Sequence, residues 1–555
     1  MRGDIAGYGR MMTSRTAPAS RASSAPDAIV IGAGHNGLVA ANLLCDAGWE
    51  VLVCEATAHP GGAVRSTTDV GSGFVTDLFS AFYPMAAASP VMRGLELGEH
   101  GLRWAHAPAV LAHVFPDGRA VRLSRDVDAT AASVGRFADG DGDAWLRMVD
   151  RWQQIQQPLL QALFAPLPAI APLGRLLREL GLAGAARFAR LAVLPVRRLG
   201  DELFDGDGAR MLLAGNAAHA DLAPEAAGSG LYGWLLSMVG QTFGFPAPVG
   251  GAGRLTDALV DRLRAAGGQL RCDSPVARVD VAAGRAVGVR LSSGERLAAR
   301  RAVLADVPAP ALFGQLVDAA ELPRRLVADL AKFEWDPPTL KLNWALAGPI
   351  GWTAPEARGA GTVHLGVDRD DLTRYAGALA TGQTPSRPLI VLGQMTTTDA
   401  SRSPAGAESA WAYTHLPRGT HADDELVAGH AELIEQTVRR HAPGFGRLIQ
   451  ARQLQTPNDL QAANPALSQG AITGGTAQLH QQLWLRPTPG LGGASTPIDR
   501  LYLAGASAHP GGAVHGGPGA NAARAALARS AVTGAARRRV TEAVLGRLYA
   551  DPLSD

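Results

Sequence analysis

The sequence has little thiol chemistry. Three of its 555 residues are cysteines, Cys45, Cys54 and Cys272, and no two of them form a Cys-x-x-Cys pair or a metal-ligand spacing. So few thiols in so long a chain argue against a disulfide framework, a dithiol redox centre and a metal site. The same scarcity is typical of a reducing compartment, so we expect a cytoplasmic protein.

A charge of one sign and long apolar runs are absent as well. The net charge is +2, with 47% apolar and 18% charged residues, and no run of eighteen apolar residues is present to span a bilayer. This balance gives no reason to expect a nucleic-acid partner. Lysine is scarce too. Lys332 and Lys341 are the two lysines, and arginine supplies the rest of the positive charge.

The first 26 residues are rich in Ser, Ala, Arg and Gly and show no apolar periodicity. They lack the apolar core of a secretory signal. We expect residues 1–26 to form a disordered tail, with a transit peptide as the alternative.

The pattern that follows predicts a strand, a glycine turn, a helix and a second strand. The predicted strands are Ala28–Ile31 and Val51–Glu55, and the helix begins near Gly37. The turn matches G-x-G-x-x-G. Its glycines allow a tight turn, close approach of a pyrophosphate and close packing of the helix on the strand. Glu55 is placed to accept hydrogen bonds from ribose hydroxyls. The predicted contacts in the turn are Gly32, Gly34, His35, Asn36 and Gly37.

One heptapeptide, Ala-His-Pro-Gly-Gly-Ala-Val, occurs twice, at Ala58–Val64 and Ala508–Val514. The first copy follows the glycine turn. The second precedes another glycine-rich stretch that opens a helix near Gly519. Helix N-termini favour phosphate groups, so we expect both ends of the chain to fold onto one phosphate-bearing cofactor.

The glycine turn alone does not distinguish NAD from FAD. The residues after Glu55 extend the pattern to Gly61-Gly62, Arg65 and Ser66, and this resembles the extended FAD motif of the amine oxidase and phytoene desaturase superfamily. The C-terminal segment around Gly505–Asn521 resembles the flavin segment of the same superfamily. Within it, the sequence is most similar to the branch of phytoene desaturases, carotenoid isomerases, retinol saturase and pyridine nucleotide-disulfide oxidoreductase domain-containing protein 2.

This resemblance implies FAD, held non-covalently because no cysteine lies near the C-terminal motif. It also implies further cofactor contacts: Gly61, Gly62, Arg65, Val276 (through its backbone), Gly505, Gly511, Gly512, Val514 and Gly519. No second complete G-x-G-x-x-G follows a strand, so a separate NAD(P)H domain is not expected.

The expected fold is α/β: a Rossmann-like FAD-binding domain of the glutathione reductase type with an inserted α+β substrate domain. We assign residues 27–110, 245–310 and 485–540 to the FAD-binding domain, and 111–244 and 311–484 to the substrate domain. Three consecutive strands, the last at Arg296–Leu304, suit a β-meander. Helical periodicity dominates from Asp141 to Gly244.

An arginine-rich helical stretch, residues 173–198, lies within that helical region and contains one acidic residue, Glu179. Two interpretations stay open. It is either an ordinary surface helix pair or a basic amphipathic patch that makes peripheral contact with a membrane.

Flavin N5 exchanges hydride, so the protein needs to supply positioning and one acid or base. Lys341, on a predicted substrate-domain strand, resembles the amine oxidase lysine that holds a water at N5. The alternative is a lysine that faces solvent. His509 and His515 flank the flavin loop and are the next catalytic candidates, the alternative being histidines that bond the backbone. Four aromatic residues are candidates for an apolar tunnel or for plain core: Trp234, Phe243, Phe245 and Trp344.

These features predict an FAD-dependent oxidoreductase that transfers hydride between flavin N5 and an apolar, polyene or isoprenoid-like substrate, as a desaturase or an oxidase. The alternatives are an FAD-dependent amine oxidase, an FAD-dependent isomerase without net redox change, and a flavin-bound scaffold. O2 or a quinone is the expected electron acceptor. The sequence does not predict an oligomeric state.

Overall fold

The computed structural model describes residues 25–419 and 424–550. The predicted disordered tail lies outside the described residues, apart from Ala25 and Pro26. The mixed α/β architecture that the sequence predicts is confirmed.

Nineteen strands are present in the described residues, and we label them in chain order. They are β1 Ala28–Ile31, β2 Val51–Cys54, β3 Ser66–Thr67, β4 Thr76–Asp77, β5 Trp104–Ala105, β6 Ala109–Val114, β7 Ala120–Leu123, β8 Ala247–Pro248, β9 Gln269–Arg271, β10 Val276–Ala282, β11 Arg285–Leu291, β12 Arg296–Ala298, β13 Ala302–Ala305, β14 Thr339–Leu346, β15 Ala360–Leu365, β16 Ile390–Gln394, β17 Glu408–His415, β18 Ile449–Gln455 and β19 Leu501–Leu503.

The α-helices of the same residues are labelled likewise. They are α1 His35–Asp46, α2 Pro84–Ala88, α3 Pro90–Arg93, α4 Val127–Gly135, α5 Asp141–Phe164, α6 Ile170–Val193, α7 Val196–Leu203, α8 Asp207–Ala218, α9 Ser229–Phe243, α10 Gly253–Ala265, α11 Ala309–Ala311, α12 Arg324–Leu330, α13 Arg369–Ala380, α14 Met395–Thr398, α15 Asp424–His441, α16 Phe445–Leu448, α17 Pro457–Ala463, α18 Gly517–Ser530 and α19 Gly534–Leu548. Short 3-10 or π turns lie between several of them.

A five-stranded parallel sheet has the strand order β19-β13-β1-β2-β9. All four residues of β1 are buried, as expected for a central parallel strand that is covered on both faces. The strands come from three distant parts of the chain. Both terminal regions of the described chain therefore take part in one sheet, which brings the glycine turn after β1 close to the loop after β19.

The single strand predicted at Arg296–Leu304 is wrong. β12 is the third strand of an antiparallel meander with β10 and β11, whereas β13 enters the parallel sheet. Between them Arg300 and Arg301 each form an ion pair with Asp27 at 3.1 Å. These ion pairs fix the chain beside β1, where it changes sheets, and the apolar pattern of the segment does not reveal the break.

A seven-stranded mixed sheet has the order β18-β14-β17-β16-β15-β6-β7. It joins strands from 109–123 to strands from 339–455, so segments before and after the parallel-sheet residues 269–305 meet in one layer. Helix α15 packs on one face of this sheet. On the other face, α8 lies against β6 and β15, and Gly215 of α8 touches the ring of His364.

Successive side chains of the central strand β14 point to opposite faces of the sheet, and both faces are buried. Leu342 and Trp344 point to the α15 side, where Trp344 donates to Glu435 at 3.1 Å. Lys341 therefore lies on the opposite face. Trp344 is core, not the wall of a tunnel.

The helical stretch predicted between residues 141 and 244 is present as α5 to α9. Trp234 of α9 packs edge-on against Trp152 of α5, with ring centroids 5.5 Å apart. Across 25–419 and 424–550, none of the helices combines the length and apolarity needed to cross a membrane.

The starts of α1 and α18 are in direct contact. A Cβ atom at Gly519 would lie 1.9 Å from the carbonyl oxygen of Asn36, and one at Gly516 would lie 2.8 Å from Val39. Only a residue without a side chain permits this backbone approach at 519. The two glycine-rich segments thus begin helices that share one location.

We expect Gly519→Ala to lower the free energy of unfolding by about 2 kcal/mol or more, because the new methyl group overlaps backbone atoms that cannot rotate away. Chemical denaturation monitored by circular dichroism measures the change. Gly546→Ala is the matched control: it also lies inside a helix, and nothing lies within 4 Å of its Cβ position. There we expect no loss, or a gain of about 0.5–1 kcal/mol. Equal effects of the two substitutions would contradict the contact.

Candidate active site

The predicted glycine turn joins β1 to α1. Gly61 donates its amide hydrogen to Ala33 O at 2.8 Å, and a Cβ at Gly62 would lie 3.2 Å from Gly34 Cα. At Gly37 a Cβ would lie 2.2 Å from Gly32 O. The turn is therefore packed tightly on itself and against the first heptapeptide, and its amides gather at the start of α1.

Glu55 holds the turn to the end of β2. Its carboxylate accepts hydrogen bonds from Ala33 N at 2.8 Å and from Thr57 N at 2.9 Å. The Glu55 carbonyl accepts from Ser274 N at 2.8 Å, two residues before Val276 at the start of β10. Glu55 and Val276 thus lie at the same end of the site, as expected for a nucleoside contact.

Arg65 lies beyond the first heptapeptide. Its guanidinium donates to Gly62 O and Ala463 O and lies over the Phe79 ring, 5.3 Å from the centroid. Burial lowers its pKa. Among the described residues it has no carboxylate partner within ion-pair distance. A partly buried cation without an acid partner suits a phosphate group.

The C-terminal segment reaches the same place. Gly505 follows β19 and contacts the Val307 backbone after β13, where a Cβ would lie 2.6 Å from the oxygen. The ring of His35 lies close to the backbone of Ala513, a residue with φ +83°. The glycine turn and the second heptapeptide are thus adjacent, and Val514 packs on the same core.

Arg486 holds this C-terminal loop through hydrogen bonds to main-chain carbonyls. The sequence pattern did not identify this residue. It is 1% exposed and donates to Ala506 O at 2.8 Å and to Thr476 O at 2.9 Å. Gly511 packs on its guanidinium, and Gly512 contacts the carbonyl of Thr473. Burial lowers the pKa of Arg486 to about 10.

Both candidate histidines are buried. His515 accepts from Gly517 N through Nδ1 at 3.0 Å, so Nε2 carries the proton and donates to Gly512 O at 3.0 Å. Burial lowers the pKa of His515 to about 3 and that of His509 to about 4. In the described part of the chain, His509 Nε2 has no hydrogen-bond partner. Both rings are therefore neutral at physiological pH.

Lys341 is 3% exposed, which excludes the solvent-facing alternative. Its Nζ donates to the main-chain carbonyls of Asp77 and Phe79. Burial lowers the pKa of Lys341 to about 7, while the Asp77 charge opposes the shift. The ring of the same Phe79 lies under the guanidinium of Arg65, and Arg65 directly follows the first heptapeptide. The Lys341 amine therefore lies near that heptapeptide.

Asp77 forms a fully buried ion pair with Arg402 at 2.6 Å. Asp77 Oδ1 also accepts from Ala252 N at 2.8 Å, so its carboxylate is well satisfied. This pair fixes the loop whose carbonyls bind Lys341. Neither residue stands in a recognisable sequence motif.

Asp306 is a further residue that sequence reasoning missed. It follows β13, and its Oδ2 accepts from Gly37 N at 2.8 Å, directly behind the glycine turn. Burial and the nearby Glu55 charge raise the pKa of Asp306 to about 7. A signal was available: Asp306, like Glu55, directly follows an apolar parallel strand, and such carboxyl ends line ligand sites.

The residues that meet here fit a flavin dinucleotide. Two helix N-termini converge, glycines leave room where side chains would intrude, and Arg65 offers a positive charge. Three buried side-chain atoms lack partners within the described residues: His35 Nε2, Asn36 Oδ1 and His509 Nε2. Buried polar atoms are normally hydrogen-bonded, so these atoms suit a polar ligand. The individual assignments as cofactor contacts stay predictions.

Comparison with known proteins agrees with this geometry. The family model of flavin containing amine oxidoreductases matches residues 37–527. Pyridine nucleotide-disulfide oxidoreductase domain-containing protein 2 of Mus musculus is 30% identical over 541 residues, 90% of this chain and 92% of the relative. Hydroxyneurosporene desaturase of Cereibacter sphaeroides is 28% identical over 517 residues, 88% of this chain and 94% of the relative.

Among solved structures, a putrescine oxidase bound to putrescine matches with a TM-score of 0.58 at 16% identity, over 90% of this chain and 98% of that chain. At this identity the match shows the fold. The expected resemblance and the expected cofactor, FAD, are confirmed.

We expect Glu55→Ala to weaken FAD binding about 10- to 100-fold, because it removes a charged acceptor from the turn and from the predicted ribose contact. Flavin fluorescence titration of the apoprotein measures the dissociation constant. Glu50→Ala is the control, since Glu50 precedes the same strand and is exposed beside Arg300. Full flavin occupancy in Glu55→Ala would refute the role, and Glu55→Gln separates charge from size.

We expect Asp306 to make FAD binding sensitive to pH. A diphosphate held at the turn would add negative charge and would raise the pKa of Asp306 above its value of about 7, so that binding above pH 7 would require proton uptake. We expect FAD affinity to be constant below about pH 6 and to fall as pH rises above 7.

Asp306→Asn should remove that fall, whereas Asp150→Asn, which alters an exposed carboxylate, should preserve it. Calorimetric titrations from pH 6 to 9, in buffers that differ in ionisation enthalpy, measure both affinity and proton uptake. An unchanged pH profile in Asp306→Asn argues against the linkage.

Proposed function

The chain belongs to the family of flavin containing amine oxidoreductases and is an FAD-dependent oxidoreductase, and from this premise we propose that it transfers hydride between flavin N5 and an apolar, polyene or isoprenoid-like substrate. In the proposed direction it is a desaturase. The parallel sheet, the glycine turn and the C-terminal segment act as a Rossmann-like FAD domain of the glutathione reductase type.

The observation that carries the proposal is a buried amine beside an aromatic wall. On the seven-stranded sheet, Lys341 lies opposite Tyr413, and Asn343 lies opposite Trp411. The Trp411 and Tyr413 rings stack at 6.0 Å with an interplanar angle of 15°, and Phe82 packs against Trp411. Such a wall provides a flat apolar surface for a conjugated chain.

The relatives support the same substrate class. Two of them are named for desaturation of hydroxyneurosporene and of phytoene, and each matches at least 88% of this chain. The amine oxidases match at low identity, and that likeness shows the fold alone.

Desaturation removes a hydride and a proton from adjacent carbons and leaves a double bond between them. When bound, FAD supplies the hydride acceptor at N5. The protein must therefore supply the proton acceptor, and a basic group in a buried, largely apolar site needs a pKa near neutral to do so.

Lys341 has this property. A neutral amine has two N–H bonds and one lone pair. The carbonyls of Asp77 and Phe79 accept the two N–H bonds, and the lone pair is left to take a proton from the substrate carbon. The Asp77–Arg402 pair fixes those carbonyls and so orients the amine.

The histidines have different roles in the proposal. His515 has both ring nitrogens engaged, so it positions the loop between Gly512 and Gly517. His509 keeps Nε2 free and buried, and we assign it a hydrogen bond to the bound cofactor or substrate. O2 or a quinone reoxidises the flavin, and peroxide release on turnover distinguishes the two.

We expect Lys341→Met to slow anaerobic flavin bleaching at least 100-fold with phytoene in detergent micelles as the probe. Stopped-flow absorbance measures the rate. In the unmodified enzyme only the deprotonated amine accepts a proton. The rate should therefore fall about tenfold per pH unit below the pKa of about 7 and level off above it.

Lys332→Met is the matched control, because Lys332 is the other lysine of the chain and its side chain is 75% exposed. Its rate and pH profile should match those of the unmodified enzyme.

Bleaching by putrescine but not by the polyene indicates the amine oxidase alternative. A change in double-bond geometry without bleaching indicates the isomerase alternative. An unaltered pH profile in Lys341→Met contradicts the role of base.

A further inference from the structure

Helix α6 leaves most of its surface uncovered. Of its 24 residues, Leu176 alone is buried, whereas the other long helix of this region, α5, buries eight side chains. An amphipathic helix in a globular protein normally buries a continuous apolar stripe. In α6, Leu180, Phe188 and Leu191 pack against the core while only partly buried, and further large apolar side chains stay exposed.

The exposed apolar residues of α6 follow helical spacing. Ile170, Leu173 and Leu177 are 75%, 45% and 47% exposed and lie on one face, at i, i+3 and i+7. After the kink at Gly181, Leu182 is 92% and Val193 is 55% exposed. Both halves of the helix therefore expose large apolar side chains.

Positive charge accompanies these apolar side chains. Helix α6 carries four arginines and one glutamate. Arg190 is neutralised by Glu202 at 2.6 Å. Arg175, by contrast, bonds the neutral Gln161, and in the described ranges neither Arg178 nor Arg187 has an acidic side chain within ion-pair distance. Uncompensated positive charge and exposed apolar surface thus lie on the same helix.

We propose that α6 binds the surface of an anionic membrane through its first half, with the axis of that half in the plane of the interface and Ile170, Leu173 and Leu177 among the acyl chains. Exposed apolar side chains with adjacent arginines are the two features that such interfacial helices combine. Charge complementarity selects an anionic lipid surface, because a second copy of this chain would present the same positive charge to α6.

The location of α6 suits this role. Phe164, at the end of α5, packs against His515 with ring centroids 5.0 Å apart, and the backbone of Leu163 and Ala165 lies close to the His509 ring. Helix α6 begins a few residues later. The membrane surface would therefore lie near the C-terminal cofactor loop, although the binding itself does not depend on the proposed substrate.

Helix α19 provides a matched comparison. It also exposes valines, Val540 and Val544, at 65% and 49%, and it carries three consecutive arginines, Arg537–Arg539. Arg538, however, is held by the carbonyls of Thr496 and Pro497 and by Glu542. Substitutions of exposed apolar residues by glutamine can thus be made on two exposed helices.

The experiment is sedimentation of the FAD-loaded, full-length protein with sucrose-filled vesicles of phosphatidylcholine alone or with 30% phosphatidylglycerol. We expect binding to the anionic vesicles at least tenfold stronger than to the neutral ones, weakening as salt rises. Ile170→Gln/Leu173→Gln/Leu177→Gln and Arg175→Gln/Arg178→Gln/Arg187→Gln should each reduce it roughly tenfold or more. Val540→Gln/Val544→Gln should leave it unchanged.

The altered side chains are exposed, and flavin content and circular dichroism report whether each variant is folded. Equal binding to both vesicle types, or unreduced binding in the α6 variants, overturns the proposal. Loss of binding in the α19 variant alone assigns the contact to α19 and also overturns it. A dimer that the α6 apolar substitutions dissociate, without vesicle binding, shows that a second copy covers the helix instead.

Discussion

The contact between the starts of α1 and α18 is the constraint from which the site follows. Gly519 has to lie against the carbonyl of Asn36, where a Cβ would be 1.9 Å away. This approach brings together helices that begin almost five hundred residues apart in the chain, and it directs two positive helix ends at one volume. The parallel sheet secures the arrangement, because the turn after β1 and the loop after β19 both leave the carboxyl ends of strands in one parallel sheet.

The two identical heptapeptides show how far local sequence determines conformation. Gly61 and Gly511 share nearly the same φ, +116° and +113°. The rest of the copies differ: the His509–Pro510 peptide is cis, and Ala513, not Ala63, takes a positive φ. His59 is exposed whereas His509 is 4% exposed. The motif therefore predicts a glycine turn near the cofactor, and the surrounding chain determines everything else.

The same distinction explains which parts of the site were predictable. The glycine turn, Glu55 and the C-terminal segment are local patterns, and their chemistry follows from spacing. Asp306, Arg486 and the Asp77–Arg402 pair act through contacts between residues that are distant in sequence, and no spacing encodes those contacts. The switch of sheets at Arg300 was missed for the same reason, since Asp27 fixes it from nearly three hundred residues away.

The buried cationic side chains near the site differ in whether they can lose their proton near neutral pH. Arg65 and Arg486 keep their charge, because even after burial the pKa of Arg486 is about 10, so they suit phosphate groups and loop carbonyls. The amine of Lys341 experiences similar burial, but its pKa falls to about 7 because an ammonium ion starts from a lower value and loses more hydration. An arginine at position 341 would stay charged and could not accept a proton. Among the buried lysine and arginine side chains of the described residues, Lys341 is thus the one suited to act as a base near neutral pH.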